Sequence, residues 1–151
     1  MGKWYHLEST NEFSDDSDHN SDSDYDYEEG FAGCKMAAIE DNIYLVGTER
    51  GCLIRYEVEK FHPPSKTWRR MPCVQEKRSG HSVCALGKKI FVAGGEGTKT
   101  CEVLDTNEKN RQWRYIAPMN NYHVHDTLVE CGGKIYMIGA ESVEMYDVEK
   151  G

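Results

Sequence analysis

Three short apolar runs recur along the chain at nearly equal spacing, and this periodicity restricts the possible folds more than any other feature. The runs begin at Ile43, Ile90 and Ile135, so they start 47 and then 45 positions apart. Each run is rich in β-branched and aromatic residues and stops at glycine, which is typical of a buried strand. A period of about 45 residues indicates structural units that stack one after another along the chain.

Each apolar run lies within a larger unit that predicts four strands. A turn of glycine or polar residues precedes each run, and another short strand precedes each turn. The predicted first strands are Lys35 to Ile39, Ser82 to Leu86 and Thr127 to Cys131. The predicted third strands are Leu53 to Val58, Cys101 to Asp105 and Val143 to Asp147, and the fourth strands begin at Trp68 and Trp113. The pattern predicts an all-β fold of four-stranded antiparallel meanders, each the size of a propeller blade.

The order of short motifs within these units resembles the Kelch repeat. The matching motifs are Gly94-Gly95, Glu144-Met145-Tyr146-Asp147, Trp113 and Pro118-Met119. The resemblance covers residues 31 to 150, with a further fragment at Trp4, and it implies Kelch-type β-propeller blades. Only the middle unit keeps both glycines. In the other units a residue with a β-carbon takes the second position, and a β-carbon resists the positive φ that glycine adopts readily.

The blades divide the chain into five predicted segments. They are an orphan fourth strand (1–7), an acidic disordered loop (8–30), Kelch repeat 1 (31–77), Kelch repeat 2 (78–122) and a partial Kelch repeat 3 (123–151). The strands add up to an incomplete propeller of about three blades, whereas closed propellers have roughly 4 to 8. Three explanations compete: a fragment of a longer Kelch protein, self-association of two copies to complete a six-bladed propeller, or an open stack of repeats.

Acidic residues are concentrated in one segment. Ten of the 26 acidic residues lie between Glu8 and Glu29, a stretch without Lys or Arg, so 16 acidic residues face 18 basic ones elsewhere. Such a low-complexity acidic segment is predicted to be disordered. Its serines lie beside carboxylates and are candidate phosphorylation sites: Ser14, Ser17, Ser21 and Ser23. The alternative is a loop that only aids solubility. The nearly neutral remainder indicates no nucleic-acid partner.

Other sequence features narrow the class of protein. No apolar segment approaches the length that crosses a bilayer, and residues 1 to 13 do not resemble a secretory signal, so no membrane partner is expected. The six cysteines form no CxxC pair, which favours free thiols and a cytoplasmic location, with the nucleus as an alternative. His123 and His125 lack a third metal ligand nearby. With no nucleophile elbow or phosphate loop, we expect a protein that is not an enzyme and needs no cofactor.

The Kelch resemblance also implies where a partner would bind. In related propellers, the loops before each first strand and between the second and third strands form the binding face. Arg78 lies where this family often has a basic residue, and equal spacing from the apolar runs gives Phe31 and His123 as its equivalents. Arg78 either pairs with a carboxylate or phosphate of a partner or bonds to local backbone carbonyls.

Loops between the second and third strands supply the other candidate contacts. They span Thr48 to Gly51, Glu96 to Thr100 and Ala140 to Ser142. From these loops we predict partner contacts by three charged side chains: Glu96, Lys99 and Glu141.

These observations predict a protein–protein interaction module that binds a protein or peptide. By resemblance, it is expected to be the substrate-recognition part of a Kelch-type ubiquitin-ligase adaptor. The alternative is a cytoskeletal, actin-binding or scaffold Kelch protein. A remote alternative is a fragment of a propeller oxidase.

Overall fold

The structure, a computed structural model, describes residues 33–50 and 53–150, apart from the side chains of 48–50 and 53–56. Within these residues there are eleven strands and no helix, in three antiparallel sheets. Blade 1 contains β1 (Lys35–Ile39), β2 (Asn42–Arg50), β3 (Leu53–His62) and β4 (Thr67–Met71). Blade 2 contains β5 (Ser82–Leu86), β6 (Lys89–Ala93), β7 (Cys101–Asp105) and β8 (Trp113–Ile116). Blade 3 contains β9 (Thr127–Cys131), β10 (Lys134–Ile138) and β11 (Val143–Asp147).

The predicted fold class is confirmed, because the described sheets are Kelch-type meanders of three or four strands. One strand boundary was wrong. Residues 48–50, predicted as a loop, continue β2 and pair with β3. Gly47 has a φ of 83°, and the register shifts between Val46 and Thr48. A glycine in this conformation is typical of a bulge that bends a strand without ending its pairing. β3 also extends past Val58, its predicted end, to His62. The loop before β4 therefore spans only residues 63–66.

Buried apolar side chains fill the spaces between neighbouring blades. Ile90 and Leu104 of blade 2 are completely buried against a cluster from blade 1 that includes Val46 and Val58. Trp113 belongs to the same cluster, and its indole Nε1–H donates to the carbonyl of Pro72 at 2.8 Å. This contact satisfies the polar atom of a buried aromatic ring and ties blade 2 to the chain leaving blade 1.

Antiparallel pairing places the connections at two opposite ends of the sheets. One end, called here the loop end, carries residues 72–81, 94–100, 117–126 and 139–142. The other, called the hairpin end, carries the tight turns between first and second strands together with residues 63–66 and 106–112. All candidate contact residues that the structure describes therefore lie at the loop end, as expected for a single binding face.

The outer face of blade 3 is apolar and exposed. Among the described residues, Val143 and Met145 of β11 are 65% and 50% exposed, and Ile138 of β10 lies beside them. The opposite face of the same sheet packs on blade 2 through Ile135 and Met137. A sheet with two apolar faces has room for a neighbour on each side.

Several predictions concern residues outside the described part of the chain. They are the orphan strand at 1–7, the acidic segment at 8–30, Phe31 and the candidate phosphorylation sites Ser14, Ser17, Ser21 and Ser23. Within the described part, no helix has the length and apolar character to span a membrane.

Two cysteines in the blade interior are shielded from reagents in water: burial raises the pKa of Cys84 to about 12 and that of Cys101 to about 11.

Candidate interaction site at the loop end

A buried ion pair holds together the loop end of blade 2. Glu102, the second residue of β7, is fully buried and accepts hydrogen bonds from the backbone N–H groups of Gln75 at 2.7 Å and Glu76 at 3.3 Å. Arg78 Nη2 donates to Glu102 Oε1 at 2.9 Å, and its side chain is only 1% exposed. Since two charges removed from water are stable only when well paired, this geometry fixes both side chains.

Arg78 also joins the loop before blade 2 to the loop after β6. Its Nη1 donates to the carbonyls of Gly94 at 3.0 Å and Thr100 at 2.9 Å. Its Nη2 donates to the Thr100 hydroxyl at 2.8 Å. This arrangement supports the interpretation of Arg78 as an arginine tied to local carbonyls. The guanidinium points inward, so its direct contact with a partner stays a prediction and its observed contacts are structural.

The same arrangement recurs in blade 3 with histidine in place of arginine. Glu144 of β11 accepts from the backbone N–H groups of Asn120 at 2.7 Å and Asn121 at 2.8 Å. His123, 45 positions after Arg78, lies with Nε2 3.1 Å from Glu144 Oε1. Burial acts to raise the pKa of Glu144, but these hydrogen bonds outweigh it and hold the pKa at about 2. The repeat therefore places a hydrogen-bonded glutamate under the loops that enter blades 2 and 3.

His123 is buried between two carboxylates. Only 2% of the residue is exposed, and its Nδ1 lies 2.7 Å from Asp126 Oδ2. Ser142 Oγ lies 3.3 Å from Nε2 of the same ring, so the order Ser142, His123, Asp126 superficially resembles a catalytic triad. Glu144 Oε1 is closer to Nε2 and competes for it. A ring held in this way does not fit the role of a general base that activates serine.

Exposed side chains surround an open depression above His123. The depression has a volume of about 500 Å³ and includes Tyr122 and Glu141 in its walls. Tyr122 is 63% exposed, and Lys99 Nζ lies 4.6 Å from the centroid of its ring, a cation–π contact. Lys99 Nζ also donates to the carbonyl of Asn120 at 2.7 Å. The loops of blades 2 and 3 thus share one polar and aromatic rim.

The structure brings together some predicted contact residues and separates others. Glu141 and His123 both line the depression, and Lys99 contacts Tyr122 in its wall. Glu96 is exposed on the neighbouring loop, where its backbone N–H donates to the carbonyl of Ser79 at 2.8 Å. Arg78 lies beneath this surface. Their role in binding a partner stays a prediction.

Sequence reasoning missed the residues that organise this surface. Glu102 and Glu144 occupy the second position of their strands, and this shared position was the available signal. Tyr122 had no such signal, because its exposure depends on the path of the loop. Among the described residues, no group of three or more His, Cys, Asp or Glu side chains is arranged to hold a metal ion.

Comparison with known proteins agrees with this architecture. The Kelch motif model matches residues 77–120. Human Kelch-like protein 23 is 31% identical over 103 residues, which cover 60% of this chain and 18% of that protein. Human Kelch-like protein 30 is 29% identical over 96 residues, covering 59% and 17% respectively. Kelch repeat and BTB domain-containing protein 2 of ectromelia virus (strain Moscow) is 29% identical over 75 residues, covering 48% and 13%.

The matched region spans less than a fifth of the length of these relatives. Within that region, the matched motif begins in the loop before β5 and includes all four strands of blade 2. Sequence similarity and sheet topology thus agree on the same repeating unit: blade 2 carries a Kelch motif, and the chain is similar to Kelch-like proteins.

Proposed function

We propose that this chain is a protein-interaction module that binds a protein or peptide at the loop end. One observation carries the proposal: the hydrogen-bond networks around Glu102 and Glu144 hold neighbouring loops in place, while Tyr122, Glu96 and Glu141 remain exposed. Loops that are ordered before binding lose less conformational entropy when a partner binds. Kelch domains in general bind protein partners, which agrees with this use of the surface.

The finer proposal is the substrate-recognition part of a Kelch-type ubiquitin-ligase adaptor. Its support is the similarity to a viral protein whose name combines Kelch repeats with a BTB domain, and to two Kelch-like human proteins. An adaptor of this kind would place the loop end against its substrate. The proposed location is the cytoplasm, with the nucleus as the alternative.

Affinity capture with matched variants tests the binding face. The immobilised chain and its Tyr122→Ala and Tyr115→Ala variants are incubated with cell extract, and the retained proteins are quantified by mass spectrometry. Both tyrosines are about half exposed or more, but Tyr115 lies on β8, outside the loop end. We expect partners that wild type and Tyr115→Ala retain and Tyr122→Ala loses. Equal retention by all three proteins would contradict a binding face at the loop end.

The adaptor role needs a separate test. Fusion of the chain to a BTB domain should increase ubiquitination of a captured partner in cells, and the Tyr122→Ala variant should abolish that increase. Unchanged ubiquitination would argue against the adaptor role while leaving the binding result intact. Co-sedimentation of the chain with actin filaments would instead favour the cytoskeletal alternative.

We also infer self-association through the outer face of blade 3, because Val143 and Met145 expose apolar surface on a sheet that packs well on its other side. Covering such a face is favourable in water. Sedimentation equilibrium should give a mass of about twice 17.3 kDa, and Val143→Lys should return it to the monomer value. A monomer mass for the folded wild-type chain would contradict this inference.

A further inference from the structure

A polar pocket at the hairpin end, far along the sheet from the loop end, has a strongly basic lining. It has a volume of about 370 Å³, roughly the space of a dozen water molecules. The residues that line it are Asn42, Lys60, His62, Ser65, Thr67 and Arg69. We call it the basic pocket. Its lining contains a lysine, an arginine, three neutral hydrogen-bonding side chains and a histidine, and none of these lining residues is a carboxylate.

Strand register brings the two cations together. Lys60 of β3 is paired directly with Arg69 of β4, and His62 is paired with Thr67. Side chains on paired residues point to the same face of a sheet, so both cations face the pocket. Like charges directly opposite one another destabilise a sheet. This pairing is therefore a local cost that a bound anion would remove.

The turn between β3 and β4 positions the hydroxyl groups. The backbone N–H of Lys66 donates to the carbonyl of Pro63 at 3.2 Å, and Pro63 and Pro64 restrict the backbone. Ser65 Oγ lies 2.6 Å from His62 Nδ1 and 2.8 Å from Thr67 Oγ1. The two hydroxyls are thus held side by side in the lining of the pocket. One donates within the pair, which leaves one O–H to donate to an oxygen of a ligand.

The positive charge in the basic pocket has no neutralising carboxylate within residues 33–50 and 53–150. Among the described residues, no carboxylate lies within ion-pairing distance of Lys60 or Arg69. Burial, followed by the charges of Arg69 and of Arg111 from the loop after β7, lowers the pKa of Lys60. Glu40, in the turn between β1 and β2, is engaged by Lys88. The loop end differs, because there Glu102 forms an ion pair with Arg78.

We propose that the basic pocket binds a phosphate group, with Lys60 and Arg69 contacting its oxygens and the Ser65–Thr67 hydroxyl pair donating one hydrogen bond to it. Arginine and lysine together with hydroxyl groups form the donor set that proteins use for phosphate. The pocket opens at the hairpin end, so its occupancy does not block the partner surface at the loop end. The ligand is either free phosphate or a phosphorylated side chain, since both present the same oxygens.

Isothermal titration of the full chain tests this proposal. The probes are inorganic phosphate and a blocked Gly-phosphoserine-Gly peptide, both at constant ionic strength set with chloride. We expect Lys60→Gln and Arg69→Gln each to weaken phosphate binding about tenfold or more. The matched control is Arg70→Gln, which removes the same charge from the next residue of β4, on the opposite face of the sheet. It should bind like wild type.

The pattern of results separates the sources of the phosphate group and can refute the site. Tighter binding of the phosphopeptide than of inorganic phosphate assigns the site to phosphorylated protein, and equal binding assigns it to the free anion. Failure of both probes to bind overturns the proposal, as does a loss in Arg70→Gln equal to that in Lys60→Gln. Circular dichroism and thermal melting of each variant confirm that it is folded, so a loss of binding is not a loss of structure.

Discussion

Replacing Glu102 with glutamine should destabilise the fold more than any other single charge removal at the described loop end. Glu102 is fully buried, and it accepts from two backbone N–H groups and from Arg78 Nη2 at 2.9 Å. Glutamine keeps the size and one acceptor oxygen but removes the charge. The Arg78 guanidinium then stays buried, and its remaining carboxylate partner is the partly exposed Glu76, at the longer distance of 3.5 Å. Breaking a buried ion pair on one side costs about 3–5 kcal/mol, a large share of the ~5–15 kcal/mol that stabilises a domain.

Urea unfolding followed by tryptophan fluorescence measures this cost, because Trp113 is buried between blades 1 and 2 and reports their separation. The matched control is Glu96→Gln, an exposed glutamate at the same end, which should change the unfolding free energy by less than about 0.5 kcal/mol. A double-mutant cycle with Arg78→Met should show a coupling energy of about 1–3 kcal/mol. A loss below about 1 kcal/mol in Glu102→Gln, or a coupling energy near zero, would refute the reasoning.

Three further predictions follow from single contacts. The pKa of Glu144 is about 2 in the folded chain and 4.5 in the unfolded chain. Its contribution to stability is therefore complete above about pH 4.5 and disappears as the pH falls toward 2. Glu144→Gln should flatten that part of a plot of stability against pH. Gly47→Ala should destabilise by about 1–3 kcal/mol in urea unfolding, because φ is 83° and a β-carbon would lie 2.5 Å from His81 Cε1. A thiol reagent should label exposed Cys131 rapidly and buried Cys84 only on unfolding.

Each of these three predictions has a control variant or a result that would contradict it. Gly87→Ala has a φ of 59° but no atom within 4 Å of the added carbon, so a cost equal to that of Gly47→Ala would show that His81 is not the cause. An identical pH profile for wild type and Glu144→Gln would mean that Glu144 gains no stability from its hydrogen bonds. Equal labelling rates for Cys84 and Cys131 in the folded chain would contradict the packing between blades 2 and 3.

The periodic pattern predicted most of the strands because strand formation here depends on local sequence. β6 illustrates this: its apolar residues are buried on both faces, so it appears in the sequence as a continuous apolar run. The boundary between β2 and β3 was missed for a local reason as well. Gly47 was taken to end a strand, whereas the structure uses it as a bulge within a longer hairpin.

The candidate site was predicted in position but not in organisation. Counting back from the apolar runs placed Arg78 and His123 at the loop end, where the structure has them. The direction of their side chains could not be predicted, because it depends on glutamates 24 and 21 positions further along the chain. Pairing across that distance requires the third strand to fold back beside the entering loop.

The sequence by itself therefore determined the repeating blade, since the alternation of turns and apolar runs needs no distant partner to be recognised. Only the tertiary structure decided which charges are buried and which are free to bind. Arg78 is neutralised by Glu102 within its own blade. Lys60 and Arg69 instead meet across a strand pair, with Arg111 of the next blade nearby and no carboxylate of the described residues to balance them. Electrostatic energy depends on distances in space, and folding, not chain order, sets those distances.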